Sequence, residues 1–398
     1  MKLAERLRHI EPFYVMECAK AAQRIAASPA CDPALGGEPM IYLNIGEPDF
    51  GAPAAVLEAA RHTLDRGRTP YTQATGLAAL REAISGWYAT RFGLDIDAER
   101  IIITAGASAA LQLACLTLFE RGDQVLMPDP SYPCNRHFVA AADADPVLLA
   151  CGPQQRYQPS AAQIEAAWTA QTRGVLLASP SNPTGTSIAR SEMQRIVGAV
   201  RARGGVTLVD EIYLGLSFDP AFGHSALEHG DDLISINSFS KTFCMTGWRL
   251  GWLVVPPALV APIERLAQNL FICASSVAQQ AALACFTPAA LEEAETRRIA
   301  FQARRDFIVP ALEALGLRVP VMPDGAFYAW IDASAWLRPG QTSWELAFEL
   351  MEIAHVALTP GRDFGPAQAA THLRLSYASD LALLHEAVDR LARLRDAR

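Results

Sequence analysis

A chain of 398 residues, 51% hydrophobic and 19% charged, is long enough to bury a large core and to form two or three domains. Its 34 basic and 42 acidic residues leave a net charge of −8, which offers no general attraction to nucleic acid or an anionic membrane. The eight cysteines include no CxxC pair, so neither a disulfide scaffold nor a cysteine-based metal site is expected.

The N-terminal stretch MKLAERLRHIEPFYVM is charged and amphipathic and lacks the apolar centre of a signal peptide. No apolar stretch of about 18 residues is present to span a membrane, so a soluble, cytoplasmic protein is expected. Residues 1–45 are too short to fold alone and are expected to pack on a C-terminal unit. Short β-rich runs then alternate with helical patterns. In chain order these are a helix over 77–92, a strand over 101–104, a helix over 109–119 and strands over 124–127 and 147–149. A helix over 161–169, a strand over 174–178, a helix over 191–203 and strands over 206–209, 233–236 and 250–255 follow. Apolar strands separated by helices predict the α/β class, with a mostly parallel seven-stranded sheet covered on both faces. Beyond Pro256 the texture changes. Long helices are expected over 258–286 and 289–315, then strands over 325–331 and 372–375 around a helix over 343–354, with a last helix after Asp380. This divides the chain into a large domain over 46–285 and a smaller α+β domain over 286–398.

In open α/β sheets, ligands gather beyond the carboxyl ends of the strands. Here those ends are polar. TAGASAAL (104–111) places Gly106, Ala107 and Ser108 where a strand yields to a helix, so backbone N–H groups can approach an anion. A tight strand-to-helix turn needs small residues in any case. SPSNPTG (179–185) presents Asn182 between two prolines, as an ordinary turn also would. VDEIY (209–213) puts Asp210 at a strand end, where it must be paired or must cap a helix. In SFSKTFCMTGWRLGW (238–252), Lys241 stands among apolar and aromatic residues, where desolvation makes a lysine nucleophilic unless its stem packs while its amine reaches water. Ser238, Ser240 and Arg249 in the same window suit a phosphate. In LRLSYA (373–378), Arg374 interrupts an alternating strand and could clamp a carboxylate or join a surface ion pair.

Nine motifs occur in order: IGEPDF, PYTQATGLAALREAI, TAGASAAL, DPSYP, SNPTG, DEIY, SFSKTFCMTGWRLGW, PDGAFYAW and LRLSYA. Together they resemble the fold-type I, class I/II aminotransferases of the aspartate aminotransferase superfamily over essentially the whole chain. The resemblance implies pyridoxal 5′-phosphate as cofactor, held by Lys241 as a Schiff base, with Lys241 later shuttling a proton. It implies that Asp210 pairs with the pyridinium nitrogen, that Tyr213 and Asn182 bond the phenolic oxygen, and that Tyr132 stacks on the ring. Phosphate contacts would come from Gly106, Ala107, Ser108, Ser238, Ser240 and Arg249. Tyr71 would reach the phosphate of a neighbouring subunit, which implies a homodimer with shared sites. Arg374 would hold the substrate α-carboxylate, with Asn182 and the Gly46 backbone assisting. No metal is implied. The implied reaction is a two-stage transfer of nitrogen from an amino acid to a 2-oxo acid. A β-eliminating C–S lyase would use the same scaffold and cofactor contacts. One departure bears on specificity: Ser108 stands where a subgroup of bacterial aspartate aminotransferases carries a lysine for the distal carboxylate. The side-chain pocket is expected near Phe13, Tyr14, Asp363 and Phe364. The motifs begin by Ile45, which leaves no room for a preceding DNA-binding domain, and no basic patch marks a nucleic-acid surface.

Overall fold

Seven apolar runs rich in branched residues pair into one sheet because each carries hydrophobic side chains on both faces. The structure is a computed structural model and describes residues 2–12 and 14–398; Phe13 lies outside the described residues. The N-terminal part contains α1 (Tyr14–Ala26), β1 (Ile41–Tyr42), α2 (Ala54–Asp65) and α3 (Ala78–Phe92). The sheet region follows with β2 (Ile101–Thr104), α4 (Ala107–Leu118), β3 (Gln124–Asp129), α5 (Pro133–Ala141), β4 (Asp145–Ala150), α6 (Ala161–Ala167) and β5 (Thr172–Ala178). It continues through α7 (Arg190–Arg201), β6 (Val206–Asp210), β7 (Ile234–Ser238), α8 (Phe239–Thr242) and β8 (Gly251–Val254). The strand order is β2-β8-β7-β6-β5-β3-β4, and only β8 runs against its neighbours. The expected seven-stranded, mostly parallel sheet is therefore the one observed.

The period of two along each strand feeds two separate cores. Val175, Leu177, Ile101 and Ile103 face Leu80, Ile84 and Trp87 of α3 and Ile196 and Val200 of α7. Leu176, Ile102, Leu208 and Leu253 face the other way, toward Leu111 and Leu113 of α4 and Ile263 beyond β8. Each such side chain contributes about 1.5–3 kcal/mol on burial, and a polar residue on either face would lose that contribution.

The remaining elements are α9 (Pro257–Leu270), α10 (Ser276–Ala282), α11 (Pro288–Ala314), β9 (Tyr328–Asp332), α12 (Ser343–Ile353), β10 (Val356–Ala357), β11 (Thr359–Pro360), β12 (His372–Ser376) and α13 (Leu381–Asp396). Strands β11, β12 and β9 form an antiparallel sheet whose core joins Phe301, Ile308 and Leu312 of α11 to Leu346, Leu350, Leu384 and Leu391. Ile41 pairs with Val356 and Tyr42 with Ala357, so β1 joins the C-terminal unit, while Arg6 pairs with Asp143 beside α5. Helix α11 serves both cores: Ala294 packs with the large sheet, Phe301 and Ile308 with the small one.

One expected element is wrong. Residues 258–286 do not form a single helix; α9 ends at Leu270 and α10 starts at Ser276. The N–H groups of Phe271 and Ile272 both turn back to the Ala267 carbonyl, at 2.9 and 3.1 Å, and Ile272 takes φ +64°. That conformation is unfavourable for a β-branched residue. The break lets fully buried Gln279 satisfy its amide: Oε1 accepts from Leu77 N (2.8 Å), and Nε2 donates to Ala274 O (3.0 Å) and Thr72 Oγ1 (3.1 Å). An unbonded buried amide would cost about 1–3 kcal/mol, the same order as the local strain, so the three bonds offset it.

Candidate active site

The parallel strands β3, β5, β6 and β7 all end at the same edge of the sheet, and four of the sequence motifs begin there. At the end of β6 two carboxyl groups are adjacent, and alternation sends them to opposite faces. Glu211 accepts from Ala226 N (2.6 Å), Ser225 Oγ (2.8 Å) and Ser235 Oγ (2.5 Å). Asp210 accepts, among the described residues, a single bond from Ile212 N at 3.2 Å. Burial pushes the Asp210 carboxyl up to about 7, while the Ile212 N–H and the nearby Lys241 pull it back. Of the two, Asp210 is the carboxyl with capacity for a cationic partner, and Glu211 is the structural one.

Lys241 lies in the single turn of α8. Its Nζ donates to Gly46 O at 2.7 Å and lies 6.0 and 5.9 Å from the rings of Tyr213 and Phe327. Burial lowers its pKa from the ordinary 10.5 to about 8, with Arg374 and Arg249 adding to the fall and Glu47 opposing it. An amine in this range is neutral often enough to attack a carbonyl. Tyr213 and Tyr328 share a hydrogen bond of 2.7 Å between their hydroxyls and meet edge to face at 84°. Tyr132, after β3, is half-buried, and burial raises its phenol strongly, with Tyr328 and Asp210 close enough to raise it further.

At one end of this site, Gly106 caps α4 with φ +82°, and a Cβ on it would lie 2.5 Å from Arg249 Nη2. A Cβ on Gly251 would lie 2.8 Å from Ala107 N. Both glycines thus keep a backbone cradle open beside a guanidinium at a helix N-terminus, where an anion is favoured. Ser108 is exposed in the first turn of α4. Ser238 holds this region together: its Oγ donates to Leu250 O (3.1 Å) and accepts from Ser240 N (3.0 Å).

At the other end, Arg374 projects from β12 and is buried. Nη1 donates to Asn182 Oδ1 (3.0 Å), and Nη2 donates to Asn44 O (2.7 Å) and Thr359 Oγ1 (3.3 Å). The Tyr328 and Phe364 rings flank its guanidinium at 4.7 and 4.9 Å, and its Nε has no acceptor among the described residues. All three bonded oxygens are uncharged, so no carboxylate is hydrogen-bonded to the cation among the described residues, and Asp363 acts on it only through space.

The sequence-derived residues Lys241, Asp210, Tyr213, Asn182, Arg374 and Gly46 therefore lie in one site, with Gly106, Ala107 and Arg249 at its anion end. Tyr71 is 79% exposed and lies apart from these contacts. Asp363 is committed elsewhere: its carboxylate caps α1, accepting from Tyr14 N (3.1 Å) and Val15 N (2.7 Å). Sequence reasoning passed over Tyr328, Asn44, Thr359 and Glu47. Tyr328 stands inside the PDGAFYAW motif and Asn44 just before IGEPDF, so position was the available signal.

A carbonyl-attacking lysine, an anion cradle and a carboxylate for a cationic ring nitrogen are the contacts pyridoxal phosphate requires, and the donor set fits it. The family described as aminotransferase class I and II matches residues 38–391. The valine–pyruvate aminotransferase of Mycobacterium tuberculosis is 36% identical over 385 residues, 96% of each chain. The aspartate aminotransferase of Geobacillus stearothermophilus is 33% identical over the full length of both. Among solved structures, an aminotransferase from Mycobacterium tuberculosis superposes with TM-score 0.94 at 34% identity, covering all of both chains. Aspartate aminotransferase from Thermus thermophilus with maleate gives 0.90 at 29%, covering 99% of this chain and 100% of that one. The chain belongs to the class I and II aminotransferases: it is a pyridoxal-phosphate-dependent enzyme that moves an amino group from an amino acid to a 2-oxo acid.

Proposed function

We propose that Arg374 receives the α-carboxylate of the amino acid, that Lys241 moves its α-proton, and that the preferred donor has an uncharged side chain. The observation that carries the first two roles is that both cations converge on one stretch of backbone. Lys241 Nζ bonds Gly46 O and Arg374 Nη2 bonds Asn44 O, each at 2.7 Å. A carboxylate on Arg374 then brings the α-carbon toward the amine. When bound, pyridoxal phosphate supplies the electron sink for the bond that breaks at that carbon. Asp210 holds positive charge at the ring nitrogen, and its single backbone bond leaves capacity for that contact. Tyr213, held by Tyr328, lies with its ring 6.0 Å from the Lys241 amine, and Asn182 accepts from Arg374. The N-terminus of α4 and Arg249 hold the phosphate, with Ser238 and Ser240 shaping the turn below.

Ser108 supports the uncharged donor, since it offers a hydroxyl where a lysine would read a second carboxylate. The relative named as a valine–pyruvate aminotransferase points the same way. The eight free cysteines favour a reducing cytoplasm. Tyr71, exposed on the chain surface, is read as serving the neighbouring subunit's phosphate site in a homodimer. No helix among the described residues is long and apolar enough to cross a membrane. The experiment is a donor panel of valine, alanine, leucine and aspartate, each with pyruvate or 2-oxoglutarate. A neutral donor should exceed aspartate in kcat/KM by about tenfold or more, because an unpaired carboxylate is costly to bury. Aspartate outperforming every neutral donor would overturn this specificity.

A further inference from the structure

The segment HSALEH (224–229) lies behind the sheet edge, on the Glu211 side of β6. It folds into one tight turn, Ala226–His229, which brings three side chains together. One potential ligand atom from each of His224, Glu228 and His229 lies within 4.8 Å of the other two. Glu228 Oε1 is 3.5 Å from His224 Nδ1 and 3.2 Å from His229 Nε2. Among the described residues none of these three buried atoms makes a hydrogen bond of good geometry, although Glu228 Oε1 has an ion-pair partner.

His224 is 4% exposed, and its other nitrogen, Nε2, lies 3.2 Å from Ile188 O. A carbonyl oxygen only accepts, so Nε2 carries the proton and Nδ1 turns a lone pair into the cluster. This is the arrangement of a metal-ligating imidazole whose second nitrogen is fixed by a carbonyl. Glu228 already has a counter-ion in Arg190, whose Nε is 3.1 Å from the same Oε1. Charged imidazoles are therefore not needed to explain the cluster.

Tetrahedral zinc holds nitrogen and oxygen ligands at about 2.0–2.2 Å, which places neighbouring ligand atoms roughly 3.4 Å apart. The two Glu228 separations bracket that value. We propose that His224 Nδ1, Glu228 Oε1 and His229 Nε2 form a site for a divalent transition cation of the zinc type, with a fourth position open to water. The Arg190 side chain is 64% exposed, so its guanidinium can leave the carboxylate for water when a cation arrives. The same guanidinium competes for Oε1 and limits the affinity.

The site is structural. His224 is tied to Ile188, whose N–H donates to Ser179 Oγ at 3.1 Å at the start of the Asn182 loop. Ser225 and Ala226, inside the segment, hold Glu211 beside Asp210. A cation here would clamp the support of both site residues from outside the catalytic cavity.

The test uses the holoenzyme, freed of metal by dialysis against a chelator and titrated with Zn²⁺ alone and, separately, with Co²⁺. One equivalent per chain should bind, with the visible bands of four-coordinate cobalt and a rise in Tm. His229→Ala and Glu228→Gln should each weaken binding at least about tenfold, as loss of one ligand does. Arg190→Ala should tighten it, because it removes the competitor; a merely structural ion-pair network predicts no such gain. His229 and Arg190 are less buried than His224, so their variants keep the test independent of folding at that position. Absence of saturable binding, or binding unchanged in both His229→Ala and Glu228→Gln, would overturn the proposal.

Discussion

Lys241 and Arg374 are two cations in one cavity, two residues apart in the backbone they touch, and the fold treats them in opposite ways. Lys241 comes from α8, the turn after β7 of the large sheet, and lies near the Tyr213 and Phe327 rings with one carbonyl to bond. Arg374 comes from the small sheet and is given three neutral oxygens and two aromatic faces. Burial changes the lysine, lowering its pKa to about 8. A guanidinium does not deprotonate in a protein, so the same burial leaves it charged and in need of an anion. Desolvation thus makes one residue a base and the other a receptor, and the difference lies in intrinsic proton affinity rather than in depth.

Removing the base should have the largest effect. Lys241→Ala is expected to lose at least about ten-thousand-fold in transamination, the upper range for a positioned acid–base group. It should also lose the visible band of covalently held cofactor, and near wild-type turnover would sink its assignment. Arg374→Ala should act differently, sparing that band while weakening amino-acid binding by about 2–5 kcal/mol, which steady-state KM values and spectral titration with valine would read. If the band vanished instead, Arg374 would belong to the cofactor end of the cavity.

The smallest effect sharpens the contrast through pH. Only the neutral amine attacks a carbonyl, and Lys241 is neutral above about 8. Capture of pyridoxal phosphate by the cofactor-free protein should therefore rise with pH and level off above that value. Below it the rate should fall about tenfold per pH unit, as the neutral fraction does. A rise continuing toward the ordinary lysine range near 10.5 would show that burial does not tune this residue.

Much of this was readable in the one-dimensional chain, for reasons visible at individual residues. The strands of the large sheet are apolar on both faces, so Val175, Leu176 and Leu177 mark a buried strand without any partner being known. Lys241 stood out because apolar and aromatic residues flank it in the chain, although the rings nearest its amine, Tyr213 and Phe327, come from other segments. Asp210 and Asn182 stood out because each follows an apolar run that must end at the sheet edge.

What lay beyond the sequence depends on contacts between distant residues. The break at 271–275 serves Gln279, whose partners Leu77 and Thr72 lie about two hundred positions away, so local helical periodicity carried no trace of it. Tyr328 enters the site only because the small sheet places it against Tyr213, 115 residues earlier. The neutral shell of Arg374 joins Asn44, Asn182 and Thr359 from three separate segments, which made a buried receptor indistinguishable from a surface ion pair in the sequence. The chain alone determined element type and the chemistry each motif could offer, because hydrophobic period and residue type are local. Tertiary packing decided which charges met and which stayed unpaired, because burial and electrostatic pairing are set by whatever the fold brings to the same place.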